Sequence, residues 1–113
     1  MTVSERSFGS VIVLDVKGAL TLTEGADLLR DKVRSLLQQG HKHLLVNLGN
    51  VPYMDSAGLG ELVQSYATTT RQGGQLKLVN TTKRINDLLV ITKLSTVFDL
   101  FDNEAAAVDS FTS

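Results

Sequence analysis

Within the stretch VPYMDSAGLGEL, residues 51–62, a carboxylate and a hydroxyl stand side by side at Asp55-Ser56, with Gly58 and Gly60 close behind in an apolar-periodic run. A serine at the start of a helix can do two things. Its oxygen can cap orphan backbone N–H groups, or it can stand free at the positive end of the helix, where an added phosphate is tolerated. On spacing alone the Asp-Ser pair reads as a cap more readily than as a site. The glycines ask for more, because each costs up to about 1 kcal/mol against alanine in a helix. Their presence points to a close approach by a neighbouring backbone, beyond the end of a central strand where α/β folds present their sites.

Other chemistries fit the residues less well. No Lys-Ser/Thr pair follows the glycines, so they do not form a phosphate-binding P-loop. A dinucleotide fingerprint would need a third glycine where Val63 stands, and Ser56 lacks the flanking glycines of a nucleophile elbow. His41 and His43 fall at the far end of the preceding strand, so a Ser-His-Asp arrangement is not expected. The two could face one way as metal ligands, but no carboxylate accompanies them, and a solvated loop is the better reading. Lys83-Arg84 read as an exposed first helical turn. Tyr53, Phe98 and Phe101 read as core or rim rather than as base-stacking platforms.

Composition narrows the class further. A chain of 113 residues suits one domain with one ordinary core. It has no cysteine, which removes disulfides, thiolate metal sites and cysteine nucleophiles. Eleven basic residues against twelve acidic give a formal charge of −1, without the basic excess expected for direct nucleic-acid binding. Met1 to Ser10 lack the charged start and apolar run of a signal peptide, and no stretch is long enough to span a bilayer. A cytoplasmic domain is the expectation.

The elements that must position Asp55 and Ser56 follow from periodicity. Ser10–Lys17 reads as a β-branched strand, with Arg6–Phe8 as a short partner. Thr21-Leu22-Thr23-Glu24 fits a capping box. A helix then carries Ala26, Leu29, Val33, Leu36 and Leu37 on one face and closes at Gln39-Gly40. His43–Leu48 is a strand buried on both faces, followed by a loop to Asp55. A second helix from about Ala57 shows Leu59, Leu62, Val63, Tyr66, Ala67 and Thr70 on one side and stops at Gly73-Gly74. Leu76–Val79 is a further strand. Thr82 caps a helix with Ile85, Leu88 and Leu89, Val97–Leu100 forms a short edge strand, and Asp102 caps a last helix to Phe111. The alternation implies an α/β domain with a mixed, mostly parallel sheet of about four to five strands and about four helices.

The run Asp55-Ser56-Ala57-Gly58-Leu59-Gly60 resembles the signature of the STAS-domain anti-sigma factor antagonists. Gly18-Ala19-Leu20-Thr21 is similar to that family's turn before its first helix. Leu44–Leu48 with Val51 resembles its central strand, Gly73–Val79 the strand after the serine-bearing helix, and Leu94–Phe98 with Glu104-Ala105 its tail. The likeness implies one STAS domain over residues 1–113. It also implies a non-catalytic protein that binds an ATP-dependent anti-sigma factor, itself a serine kinase, and so frees a sigma factor. On this resemblance Ser56 is the phosphorylated residue, a phosphatase resets it, and Thr21, Asp55, Ser56, Ala57, Gly58, Leu59 and Gly60 form the partner-binding surface. No cofactor, metal, direct nucleic-acid contact or membrane span is implied. Many antagonists carry acids where Thr21 and Asn47 stand, and these two positions depart from the pattern. An alternative within the same resemblance is a non-catalytic scaffold subunit of a stress-signalling or lipid-transport assembly, in which Ser56 need not be modified.

Overall fold

The computed structural model describes residues 1–111; residues 112 and 113, included in the expected domain, lie outside the described residues. Five strands, β1 (Thr2–Phe8), β2 (Val11–Lys17), β3 (His43–Asn50), β4 (Gln75–Val79) and β5 (Leu100–Phe101), lie side by side in chain order. β1 runs antiparallel to β2, and every later pairing is parallel. Helices α1 (Ala26–Gln38), α2 (Ser56–Arg71), α3 (Lys83–Ile91) and α4 (Glu104–Ser110) join or follow the parallel strands. This is the expected α/β arrangement. Among the described residues no helix is long and apolar enough to cross a membrane.

The period of two along the inner strands divides the core into two layers. Ile12, Leu14, Val16, Leu44, Val46, Leu48, Leu76 and Leu78 face α1, α2 and α3, which contribute Leu29, Val33, Leu36, Leu59, Leu62, Ile85 and Leu89. Val11, Val13, Leu45 and Val79 face the other way, onto Ala107 and Phe111 at the α4 end of the chain. Burial on both faces explains why β2 and β3 read as continuous apolar runs. β3, packed on both faces, delivers the chain into the Asp55 loop.

Local details differ from the sequence reading, each for a physical reason. β1 covers seven residues rather than three, because its whole length pairs with β2 from Thr2↔Lys17 to Phe8↔Val11. The Thr21–Glu24 capping box does not form. Thr21 Oγ1 accepts the Glu24 N–H at 3.1 Å, but this closes a separate turn, and the Glu24 carboxylate pairs with the N-terminal amine at 2.9 Å. α1 begins at Ala26, four residues later than that box would start it, behind Gly25 at φ 93°, where a Cβ would meet the Ala19 carbonyl at 2.9 Å. On α2 the buried polar positions are Ser65 and Thr69, while Thr70 is exposed.

The edge strand is Leu100–Phe101, preceded by a 3-10 turn at Leu94–Thr96, because only those two residues pair with Leu78 and Val79. The cap of α4 is Asn103, whose side-chain oxygen accepts the Ala106 N–H at 2.9 Å, and not Asp102. α4 is tied to the sheet by ionic contacts as well. Arg6 donates to both Asp15 oxygens at 2.6 and 2.9 Å and to both Glu104 oxygens at 2.7 and 2.9 Å. The buried Lys77 ammonium donates to the Ser110 carbonyl and hydroxyl.

Candidate functional site

The chain leaves β3 at Asn50 and turns through residues 51–55 before α2 begins at Ser56. Backbone bonds weld this turn to the one that follows β2. Gly18 donates to the Asn50 carbonyl at 3.0 Å, Leu20 to the Tyr53 carbonyl at 3.0 Å, and Asp55 back to the Leu20 carbonyl at 3.3 Å. Val51, Met54 and Leu20 are buried beneath them. Two loops that are more than thirty positions apart in sequence thereby form one platform.

Asp55 is the N-cap of α2, in extended conformation. Its Oδ1 accepts the Gly58 N–H at 2.8 Å, closing the first helical turn, and its Oδ2 accepts the Leu22 N–H at 3.1 Å across the platform. The bonds from Gly58 and then Leu22 hold this carboxyl below the usual carboxylate range, so it is charged at neutral pH. Among the described residues no cation pairs with it. The cap is therefore Asp55, which leaves Ser56 unneeded for that purpose.

Ser56 is the first helical residue, exposed, and its hydroxyl makes no hydrogen bond within the described chain. It is held by what lies behind it: Leu59 and Leu62 are buried in the core, and fully burying a leucine is worth roughly 1.5–3 kcal/mol. The two glycines have different reasons. A Cβ on Gly58 would lie 1.9 Å from the Leu20 carbonyl oxygen, so the close contact between helix and turn exists only with glycine. A Cβ on Gly60 would meet nothing within 4 Å, and Gly60 is exposed. The expectation of a close neighbouring backbone thus holds at Gly58, and at Gly60 nothing within the described chain explains the glycine.

Of the expected surface residues, Ser56 and Gly60 are exposed, Thr21, Asp55 and Ala57 are half-buried, and Gly58 and Leu59 are turned inward. The Thr21 hydroxyl is engaged in its own turn with Glu24. Asn47 lies on the α4 side of the sheet. Its Nδ2 donates to Asp15 Oδ1 at 2.8 Å, and its Oδ1 accepts from Gly49 N–H at 3.0 Å and Asn80 Nδ2 at 3.3 Å. An acid at this position would set two carboxylates against each other, so the neutral amide suits a chain that carries Asp15. Beside the site, Tyr53, read as core or rim, stands at the rim, 47% exposed with the Arg84 guanidinium 5.6 Å from its ring centre, and one exposed apolar residue, Leu22 at 71%, escaped the sequence reading. The available signal was an apolar residue inside a threonine-rich turn.

The histidines lie away from this platform. His43 sits at the start of β3, its Nδ1 3.2 Å from the Ser10 hydroxyl and its ring 5.4 Å from that of Phe111. Among the described residues, no three or more histidine or carboxylate side chains come together in a way that could hold a metal.

The fold that carries these residues is shared with known proteins. The STAS domain family model matches residues 4–107. An anti-sigma-B factor antagonist of Bacillus subtilis is 41% identical over 75 residues, covering 66% of this chain and 68% of that protein. An anti-sigma factor antagonist from Mycobacterium paratuberculosis superposes with a TM-score of 0.87 at 19% identity, covering 99% of this chain and 94% of that one. The Bacillus cell fate determinant SpoIIAA, in its phosphorylated form, has the same fold with a TM-score of 0.75 at 18% identity, covering 96% and 98%. With its sheet order, its welded loops and its DSAGLG helix start, the chain belongs to the STAS domain family, among relatives that are anti-sigma factor antagonists.

Proposed function

We propose that this protein is an anti-sigma factor antagonist that binds an ATP-dependent anti-sigma factor with serine kinase activity, releases the sigma factor, and is switched off by phosphorylation of Ser56. The observation that carries the reading is the Ser56 hydroxyl, exposed and without a partner at the start of a helix whose cap is supplied by its neighbour Asp55. In the transfer, Ser56 Oγ attacks the γ-phosphorus of ATP, the bond to the bridging oxygen breaks, ADP leaves and the hydroxyl proton is released. A phosphatase returns the hydroxyl by hydrolysis to inorganic phosphate. The protein itself is a binding partner and substrate in the cytoplasm, not an enzyme, and uses no cofactor.

The direction of the switch follows from charge. Phosphate adds about −1.5 to −2 charges beside an Asp55 carboxylate that is already ionised. Within the free protein the positive end of α2 accommodates that charge. Against a docked partner the same charge must be desolvated, which costs several kcal/mol when it is left unpaired. Interface loss therefore outweighs any rearrangement of the fold. The test is incubation with the ATP-binding partner kinase followed by intact-mass measurement. One phosphate per chain, absent in Ser56→Ala, is expected, and retained phosphorylation in that variant overturns the assignment. An unmodified Ser56 in protein isolated from its own cell would instead favour the scaffold role.

A further inference from the structure

Leu22 is the most exposed large apolar residue on the platform that carries Ser56, at 71%. A single exposed leucine is ordinary on a protein surface, but the turn that carries this one is held. Its N–H donates to Asp55 Oδ2 at 3.1 Å. The preceding Thr21 is fixed through its N–H, carbonyl and hydroxyl, all bonded to Glu24. Leu20, before that, is fully buried and bonded to both Tyr53 and Asp55. The backbone is thus fixed on both sides of an apolar side chain that contacts solvent.

We infer that Leu22 is an apolar anchor that inserts into a nonpolar socket of the partner protein, beside the point where that partner receives the Ser56 hydroxyl. The proposal rests on the partner-binding reading above and names the contact that confers specificity on it. Four observations support it together. The side chain is exposed where an isolated domain gains nothing from it. Its backbone is ordered in advance, so little conformational freedom is lost on docking. It adjoins the Ser56 site through Asp55, the residue that also caps the serine-bearing helix. Asp55 carries a charge with no cation among the described residues, so the apolar anchor sits beside a polar rim, as in the centre of a protein interface.

Asp55 acts here as a positioning residue, because its two oxygens tie the Leu22 turn and the start of α2 into one body. A phosphate on the adjacent Ser56 stands next to the group that holds Leu22. The serine and the anchor are therefore presented together on one surface.

The test uses the full chain and its ATP-binding partner kinase in a calorimetric binding measurement with wild type, Leu22→Ala, Leu22→Asp and Leu22→Met. The expected result is at least about tenfold weaker binding for Leu22→Ala, a larger loss for Leu22→Asp, and near wild-type affinity for Leu22→Met, with unchanged melting temperatures throughout. Asp55→Asn keeps one acceptor for the Gly58 N–H but places an amide against the Leu22 N–H. It should accelerate hydrogen exchange at Leu22 while α2 stays protected. Wild-type affinity in both Leu22→Ala and Leu22→Asp overturns the anchor and leaves the partner-binding reading standing. Failure of the wild-type chain to bind the kinase overturns that reading, and the anchor with it.

Discussion

Substituting Gly58 by alanine probes the contact that joins the two loops. The added Cβ would be built 1.9 Å from the Leu20 carbonyl oxygen and 2.7 Å from its carbon, which are backbone atoms that cannot rotate away. Either α2 or the turn after β2 must shift. Overpacking of this kind costs typically 1–3 kcal/mol. The shift also strains the Asp55-to-Leu20 backbone bond at 3.3 Å, worth about 0.5–1.5 kcal/mol net, and displaces the Leu22 N–H from the Asp55 carboxylate, 3.1 Å away. Against this, alanine gains about 1 kcal/mol in helix propensity. The balance is a destabilisation of about 2 kcal/mol. In a domain of this size that lowers the melting temperature by roughly 10 °C or more. Urea unfolding followed by circular dichroism measures it directly. A Gly58→Ala variant as stable as wild type would show that helix and turn can separate without cost, and the account of a welded platform would then be wrong.

Further outcomes follow from the same geometry. Gly60→Ala should stabilise the free protein by up to about 1 kcal/mol in the same assay, because its Cβ meets open space, yet weaken partner binding if a partner surface approaches there; unchanged affinity would show that the exposed glycine has no role in docking. Ser56→Asp should reduce binding to the partner kinase by about a hundredfold or more while melting temperature and circular dichroism stay near wild type; chemical-shift changes spread across the whole sheet on phosphorylation would mean a refolding switch instead. Asp15 is held below its ordinary value of 3.8, first by its hydrogen bonds from Arg6 and also by that from Asn47. A depressed acid stabilises the fold fully above its unfolded value and loses that contribution as the pH falls through 3.8 and below. Arg6→Met should therefore make the acid unfolding curve shallower below about pH 4, with a loss on the order of 1 kcal/mol at neutral pH because the arginine is partly exposed. An unchanged acid limb would remove Arg6 as the cause.

What the sequence determines by itself is whatever depends on neighbours along the chain. The apolar runs of β2 and β3, the helical spacing of Leu29, Val33, Leu36 and Leu37, and the Thr82 cap are local patterns and are present as read. The start of α2 at an Asp-Ser pair is equally local, and so was the ambiguity between cap and site. The structure gives the cap to Asp55 and leaves the Ser56 hydroxyl without a hydrogen bond among the described residues. It also separated two glycines that look alike in sequence, because only Gly58 faces the Leu20 carbonyl, a neighbour 38 positions away. The Arg6 link between Asp15 and Glu104 spans 98 positions at its longer reach. The neutral Asn47 makes sense only beside Asp15 on the adjacent strand. Leu22 carries no periodic signal at all. Its meaning lies in a turn held from outside by Asp55, and a hydrogen bond between residues 33 positions apart leaves no trace in the order of the amino acids.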